Sequence, residues 1–206
     1  MALADNNTDM ILADLTLSDG SAFEKIDVMK VTEVKAVWMS KEPTSYNVSS
    51  IRTTDPTGIR FLASVHTAQK KLAEEYGFIV TLEPNLGDIA PTDLEIDTDI
   101  NKVTGVSYGL DTEANKNVDR VYETDGDTVF FTAALYGMPK SDAAYRINIV
   151  VRPYLKDKEG VYHYGQPMVR SVLDVAKAIR DDEYNKVDEL GKRYVMDILT
   201  ECKESV

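Results

Sequence analysis

The chain has 206 residues, 43% of them hydrophobic and 28% charged, enough for one substantial core or two small ones. Thirty-five acidic side chains against twenty-three basic ones give a net charge of −12; that field repels phosphate backbones and anionic bilayers and excludes nucleic acid as the expected partner. No stretch reaches the roughly 18 apolar residues of a membrane span, so no membrane insertion is expected; the single cysteine, Cys202, excludes an intramolecular disulfide.

Residues 1–9 are polar and lack the basic and apolar regions of an export signal. Either the product starts here and is not exported by the secretory route, or a signal was removed and Met1 added. Met10 to Leu17 reads as a strand, and Asp19-Gly20-Ser21 as a turn. Lys25 to Met39 is rich in Val and Ile, which predicts two strands or one bulged strand rather than a helix. Lys41 to Thr57 holds two prolines and many Ser and Thr, and reads as a loop or extended connector. This places an N-terminal group of strands at 1–50, on or before a main domain at 51–206.

Ile59 to Val65 is a strand, and Ala68 to Tyr76 a short helix built of good helix formers. Phe78 to Leu82 returns to strand, and the acidic stretch from Glu83 to Asp99, with Pro84, Gly87 and Pro91, reads as loop. A hairpin is expected over Val103 to Tyr108, and a strand over Val118 to Glu123. Asp125-Gly126-Asp127 then turns the chain into Thr128 to Tyr136. The longest β-run is Tyr145 to Lys156, with Ile147, Ile149 and Val151 on one face and Asn148, Val150 and Arg152 on the other; Lys158-Glu159-Gly160 turns it into Val161 to Tyr164. After Pro167 the period lengthens from two to 3.6, and Ser171 precedes a helix carrying Val172, Val175, Ala176 and Ile179 on one face. Val187, Leu190, Tyr194, Val195, Ile198 and Leu199 form a second. The sum is a mainly β fold: an antiparallel β-sandwich, Ig-like or jelly-roll-like, with a short internal helix and a C-terminal helical pair.

One ordered set of strings adds a resemblance. Gly58-Ile59-Arg60-Phe61 is followed by Glu75-Tyr76-Gly77-Phe78-Ile79-Val80, Val129-Phe130-Phe131-Thr132-Ala133-Ala134-Leu135-Tyr136, Val151-Arg152-Pro153-Tyr154 and Arg170-Ser171-Val172-Leu173-Asp174-Val175-Ala176. In this order residues 57–180 resemble a β-rich module found towards the C-terminal parts of large secreted or surface proteins of gut clostridial bacteria. The resemblance carries no activity. It implies an exported, non-catalytic module in the company of dockerins, glycoside hydrolases, Ig-like domains or surface anchors, and it does not extend over the first 50 residues.

Candidate binding residues are Arg60, Arg152, Tyr154, Tyr162 and Tyr164. A guanidinium on a sheet face clasps a carboxylate or sugar hydroxyls, and tyrosine rings stack on pyranose faces. The structural alternative pairs each arginine with an acid such as Glu75 or Glu74 and places the tyrosines in the core or at its rim. Asp97, Asp99 and Asn101 alternate like the first half of a calcium loop, but Lys102 replaces the turn glycine and the bidentate glutamate is missing. A structural Ca²⁺ in the acidic loops is the one cofactor they suggest, and none is otherwise expected. His66 and His163 are the only histidines, and no Gly-x-Ser-x-Gly elbow accompanies them. The expected function is thus a non-catalytic extracellular or cell-surface module that binds, presents or spaces, with a glycan or protein partner. The first alternative is a structural subunit of a virion or filament, which would self-assemble; a glycan-active enzyme comes third.

Overall fold

Runs that alternate inward and outward side chains become paired strands here, and the two strongest, Gly58–His66 and Thr128–Tyr136, pair with each other over their whole length. The computed structural model describes residues 10–17, 34–52, 58–99, 104–109, 121–183 and 186–204. Among them the strands are β1 (Met10–Leu17), β2 (Val34–Ser40), β3 (Thr44–Arg52), β4 (Gly58–His66), β5 (Ala73–Leu82) and β6 (Thr104–Gly109). They continue with β7 (Val121–Asp125), β8 (Thr128–Tyr136), β9 (Ile149–Asp157), β10 (Tyr162–Tyr164) and β11 (Met168–Arg170). The helices are α1 (Thr67–Leu72), α2 (Asp142–Arg146), α3 (Val172–Ala178) and α4 (Glu189–Glu201).

The strands form an antiparallel sandwich. One sheet has the order β3-β4-β8-β7; the other runs β10-β9-β5-β6, with β11 also pairing β9. β1 and β2 form a separate two-stranded sheet. Inward side chains of the two main sheets meet in one core, where Ile59, Phe61 and Phe131 face Phe78, Ile149 and Val151, and Val172, Val175, Val195 and Ile198 of the terminal helices join it. Phe131 lies 5.0 Å from Tyr76 and 4.8 Å from Phe78, ring centre to ring centre. Burying each such side chain contributes about 1.5–3 kcal/mol. The sandwich with its short internal helix and C-terminal helical pair is therefore the fold.

Several boundaries depart from the sequence expectation. Residues 41–57 are not a connector throughout: Thr44–Arg52 is β3, paired with β4 and crossing position 50. Tyr46, Val48 and Ile51 supply its β preference, diluted among Ser and Thr. The helix expected to Tyr76 ends at Leu72, because Ala73–Gly77 is drawn into β5, which pairs β9 on one side and β6 on the other. The β-run expected from Tyr145 begins at Ile149; Asp142–Arg146 is a helix whose first turn is capped by Ser141, its Oγ accepting from Ala144 N–H. The expected hairpin at Val103–Tyr108 is instead one strand, β6, against β5. The Asp19–Ser21 turn, the first strand of the Lys25–Met39 region, Val103 and residues 118–120 lie outside the described residues.

A second, smaller core covers the outer face of the five-stranded sheet. Ile79, Val150 and Tyr154 point away from the sandwich interior and are roofed by Leu86 and Leu94, with Ile89 and Ile96 beside them. The acidic segment 83–99 is thus a lid of loop and short 3₁₀ turns at Glu83–Asn85 and Pro91–Asp93. Pro153, which has no N–H, occupies a central strand without loss. Its carbonyl accepts from Gly165 N–H on the edge where β10 gives way to β11, so its missing donor faces that same break. Gly165 allows this closure: a Cβ there would lie 2.4 Å from the Pro43 carbonyl oxygen.

Candidate functional site

Alternation along β10 sends Tyr162 and Tyr164 to the outer face and His163 to the other. Opposite them on β9, Arg152, Tyr154 and Lys156 share that outer face. The result is a ladder along the sheet edge. Tyr162 and Tyr164 are stacked with ring centres 6.0 Å apart and planes 11° from parallel, and Tyr154 meets Tyr162 at 5.7 Å. The Arg152 guanidinium lies 4.7 Å from the Tyr164 ring centre, and the Lys156 ammonium 5.8 Å from that of Tyr162. Both are cation–π contacts that hold the rings in place.

The polar ends of the ladder are tied down. Arg152 donates from Nε to the Gly165 carbonyl (3.1 Å) and from Nη1 to the Leu94 carbonyl (3.0 Å). Tyr164 Oη accepts from Ile96 N–H at 3.1 Å, fixing the acidic lid to the ladder. Tyr154 donates to Glu75 at 3.3 Å, and Lys156 pairs with Glu74 at 2.8 Å. Arg152 is therefore held by backbone carbonyls, whereas the structural alternative pairs it with an acid such as Glu75 or Glu74. Burial lowers its pKa from the ordinary arginine value, against the pull of Glu95 and other nearby acids. Burial raises Tyr162 and Tyr164, with Glu75 adding to the first and the Ile96 hydrogen bond partly opposing the second. The hydrogen bond to Glu74 raises Lys156.

Four of the five residues singled out from sequence thus come together. Tyr154 is 1% exposed and supports the ladder from below; Tyr162, Tyr164 and Arg152 are partly exposed. Arg60 stands apart on β4 of the other sheet, opposite Ser50 and Ala134. Asp97 and Asp99 are exposed in the lid, while Asn101 lies outside the described residues. Among the described residues no three His, Cys, Asp or Glu side chains are grouped to hold a metal ion. Lys156, Glu74 and Glu75 complete the site and were not singled out beforehand as part of it. Strand register was the missing information, since β5, β9 and β10 become neighbours only in the folded sheet.

On the opposite face of β10, His163 Nε2 lies 2.9 Å from Asp157 Oδ2, and both side chains are buried. Asp157 Oδ1 accepts from the N–H groups of Glu159 and Val161, closing the 158–160 turn, and Lys41 approaches Oδ2 at 3.6 Å. Burial alone would push the Asp157 carboxyl up. The His163 hydrogen bond, the Val161 N–H and the nearby positive charges outweigh it and leave the carboxyl below its ordinary value. The adjoining cavity, about 10 Å³, is lined among the described residues by Ile11, Lys41, Gln69, Leu72, Leu155 and Asp157, none of which carries a hydroxyl or thiol. The Asp157–His163 pair locks the turn, with Asp157 holding both the turn N–H groups and the imidazole. The other histidine, His66, caps α1, its Nδ1 accepting from Ala68 N–H.

These features define a mainly β sandwich carrying an aromatic and cationic ladder at one sheet edge. Among the described residues no helix is long and apolar enough to cross a membrane. Comparison with protein-family models, with curated proteins and with solved structures returned no match.

Proposed function

We propose that this chain is a non-catalytic β-sandwich binding module of a secreted or cell-surface protein, and that it takes a glycan on the Tyr162–Tyr164 ladder. The observation that carries the reading is the pair of partly exposed, near-parallel tyrosines, held in one geometry by Arg152, Lys156 and the Tyr164–Ile96 hydrogen bond. Rings already fixed lose little freedom when a sugar packs on them, which lowers the cost of binding. Carboxylates at Glu74 and Glu75 stand beside the rings as acceptors for hydroxyl groups, and apolar ring surface takes the sugar C–H face. The resemblance of residues 57–180 to modules of surface proteins supports the same company and place.

A glycan array probed with the chain and with a Tyr162→Ala/Tyr164→Ala variant tests the proposal. The expected result is at least one bound glycan class, lost in the variant while its circular dichroism is unchanged. Absence of binding across the array at high protein concentration overturns the glycan reading. Capture of a protein partner through the same tyrosines would replace the glycan with a protein ligand.

A further inference from the structure

A separate concavity of about 220 Å³ lies between β3 and α3. Two backbone irregularities shape it. The register shift in β3 between Tyr46 and Ser49 leaves Val48 61% exposed at one rim. On the other side, α3 runs into a π turn at Ile179–Glu183, which carries Asp182. Bulges and π turns of this kind re-aim side chains and recur beside binding sites.

The wall along the helix is polar at its ends. Arg170 at the end of β11, Asp174 and Ala178 on α3, and Asp182 in the π turn all line this wall. Arg170 makes one hydrogen bond, from Nη1 to the carbonyl of its neighbour Val169, and no ion pair among the described residues. Asp174 spends Oδ2 on Ser171 N–H as part of the α3 cap, leaving its other oxygen for the cleft. Asp182 has no hydrogen bond or ion pair among the described residues; the adjacent Arg180 is turned to Asp181 at 2.7 Å. Between these ends, Val175 and Ile179 give an apolar floor, Val48 an apolar rim and Ser49 a hydroxyl.

The cleft therefore presents a guanidinium at one end and a carboxylate at the other. Along the helical wall Asp174 and Asp182 are at most about 12 Å apart at the α-helical rise, with Arg170 beyond Asp174 at the end of β11, and an extended peptide of about three residues or more is of that length. A ligand with both charges is also the kind that a strongly acidic protein does not repel as a whole. We propose that this cleft binds a short zwitterionic peptide, its terminal carboxylate on Arg170, its ammonium group on Asp182 and its small apolar side chains on Val48, Val175 and Ile179.

The test is an amide-shift NMR titration of the full chain with trialanine, N-acetyl-trialanine, trialanine amide and 1,5-diaminopentane. Trialanine should give saturable shifts at Ser49, Val175 and Ala178. Each capped peptide should bind at least about tenfold more weakly, the loss of one charged hydrogen bond. In Arg170→Gln the difference between trialanine and its amide should disappear, and in Asp182→Asn the difference between trialanine and its acetylated form. Both positions lie away from the main core, so both variants should fold. No saturable shift with trialanine overturns the assignment. So does capped peptide binding as tightly as free peptide, or diaminopentane binding as tightly as trialanine. The Tyr162→Ala/Tyr164→Ala variant should bind trialanine unchanged, which separates this cleft from the ladder.

Discussion

Asp157→Asn isolates one half of a buried carboxylate. The remaining side-chain oxygen still accepts from Glu159 and Val161 N–H, so the 158–160 turn keeps its lock. What disappears is the charged acceptor 2.9 Å from His163 Nε2 and 3.6 Å from Lys41. A hydrogen bond to a buried charged group contributes about 1.5–3 kcal/mol, and a part-exposed ion pair about 0–1 kcal/mol. The variant should lose about 2–3 kcal/mol at pH 7, read by urea denaturation with circular dichroism. The sign with pH follows from the lowered carboxyl. A depressed folded value gives stability that is fully present above the unfolded carboxylate value of about 3.9 and is lost as pH falls through the folded one. The gap between the proteins should therefore hold from neutral pH to about 5 and close below about 4, where a protonated carboxyl resembles the amide. A loss under about 0.5 kcal/mol at pH 7, or a gap constant down to pH 3, would refute the account of this pair.

Three further outcomes follow from the fold. Gly58→Ala puts a Cβ 2.1 Å from the backbone oxygen of Leu135, with no flexible side chain to yield, so β4 must shift against β8 and expression of folded protein should fall sharply; a melting temperature equal to the parent's would contradict the register. Gln69→Leu removes a buried amide that donates to the carbonyls of Ser40 and Glu42 at 3.0 and 2.8 Å. It should cost about 2–3 kcal/mol in denaturant unfolding and speed hydrogen exchange around residues 40–43. Cys202 is 3% exposed, and burial, reinforced by Asp142, pushes its thiol up to about 11. It should react with a thiol reagent at pH 8 only as fast as the C-terminal helices open, and a rate equal to that of free cysteine would contradict that burial.

The parts of this fold that could be read in the chain are those where one residue type dominates a face. β8 and β9 are dense in Val, Phe and Ile, and α3 has a Ser171 cap with Asp174 three residues on. Where composition is mixed, tertiary pairing decided the outcome. Ser and Thr in residues 44–52 hide the strand that β4 recruits, and the helix formers of 73–76 yield to two strand partners at once. The lid shows the same limit. Leu86, Ile89, Leu94 and Ile96 are scattered among acidic residues, and they become a hydrophobic surface only because Ile79, Val150 and Tyr154 face outward beneath them. For the ladder, residue types were legible and neighbours were not. Arg152, Tyr154, Tyr162 and Tyr164 could be named, but Glu74, Glu75 and Lys156 needed the β5–β9–β10 register, which also separates Arg60 from the group.

The most direct test of the glycan-binding claim is a titration of protein carrying labelled tyrosine rings with pooled soluble oligosaccharides at millimolar concentration. Saturable shifts at the Tyr162 and Tyr164 rings, with a smaller change at the Tyr154 ring beneath them, are the predicted result. Rings that stay unmoved with every pool, or shifts confined to other tyrosines, would contradict it.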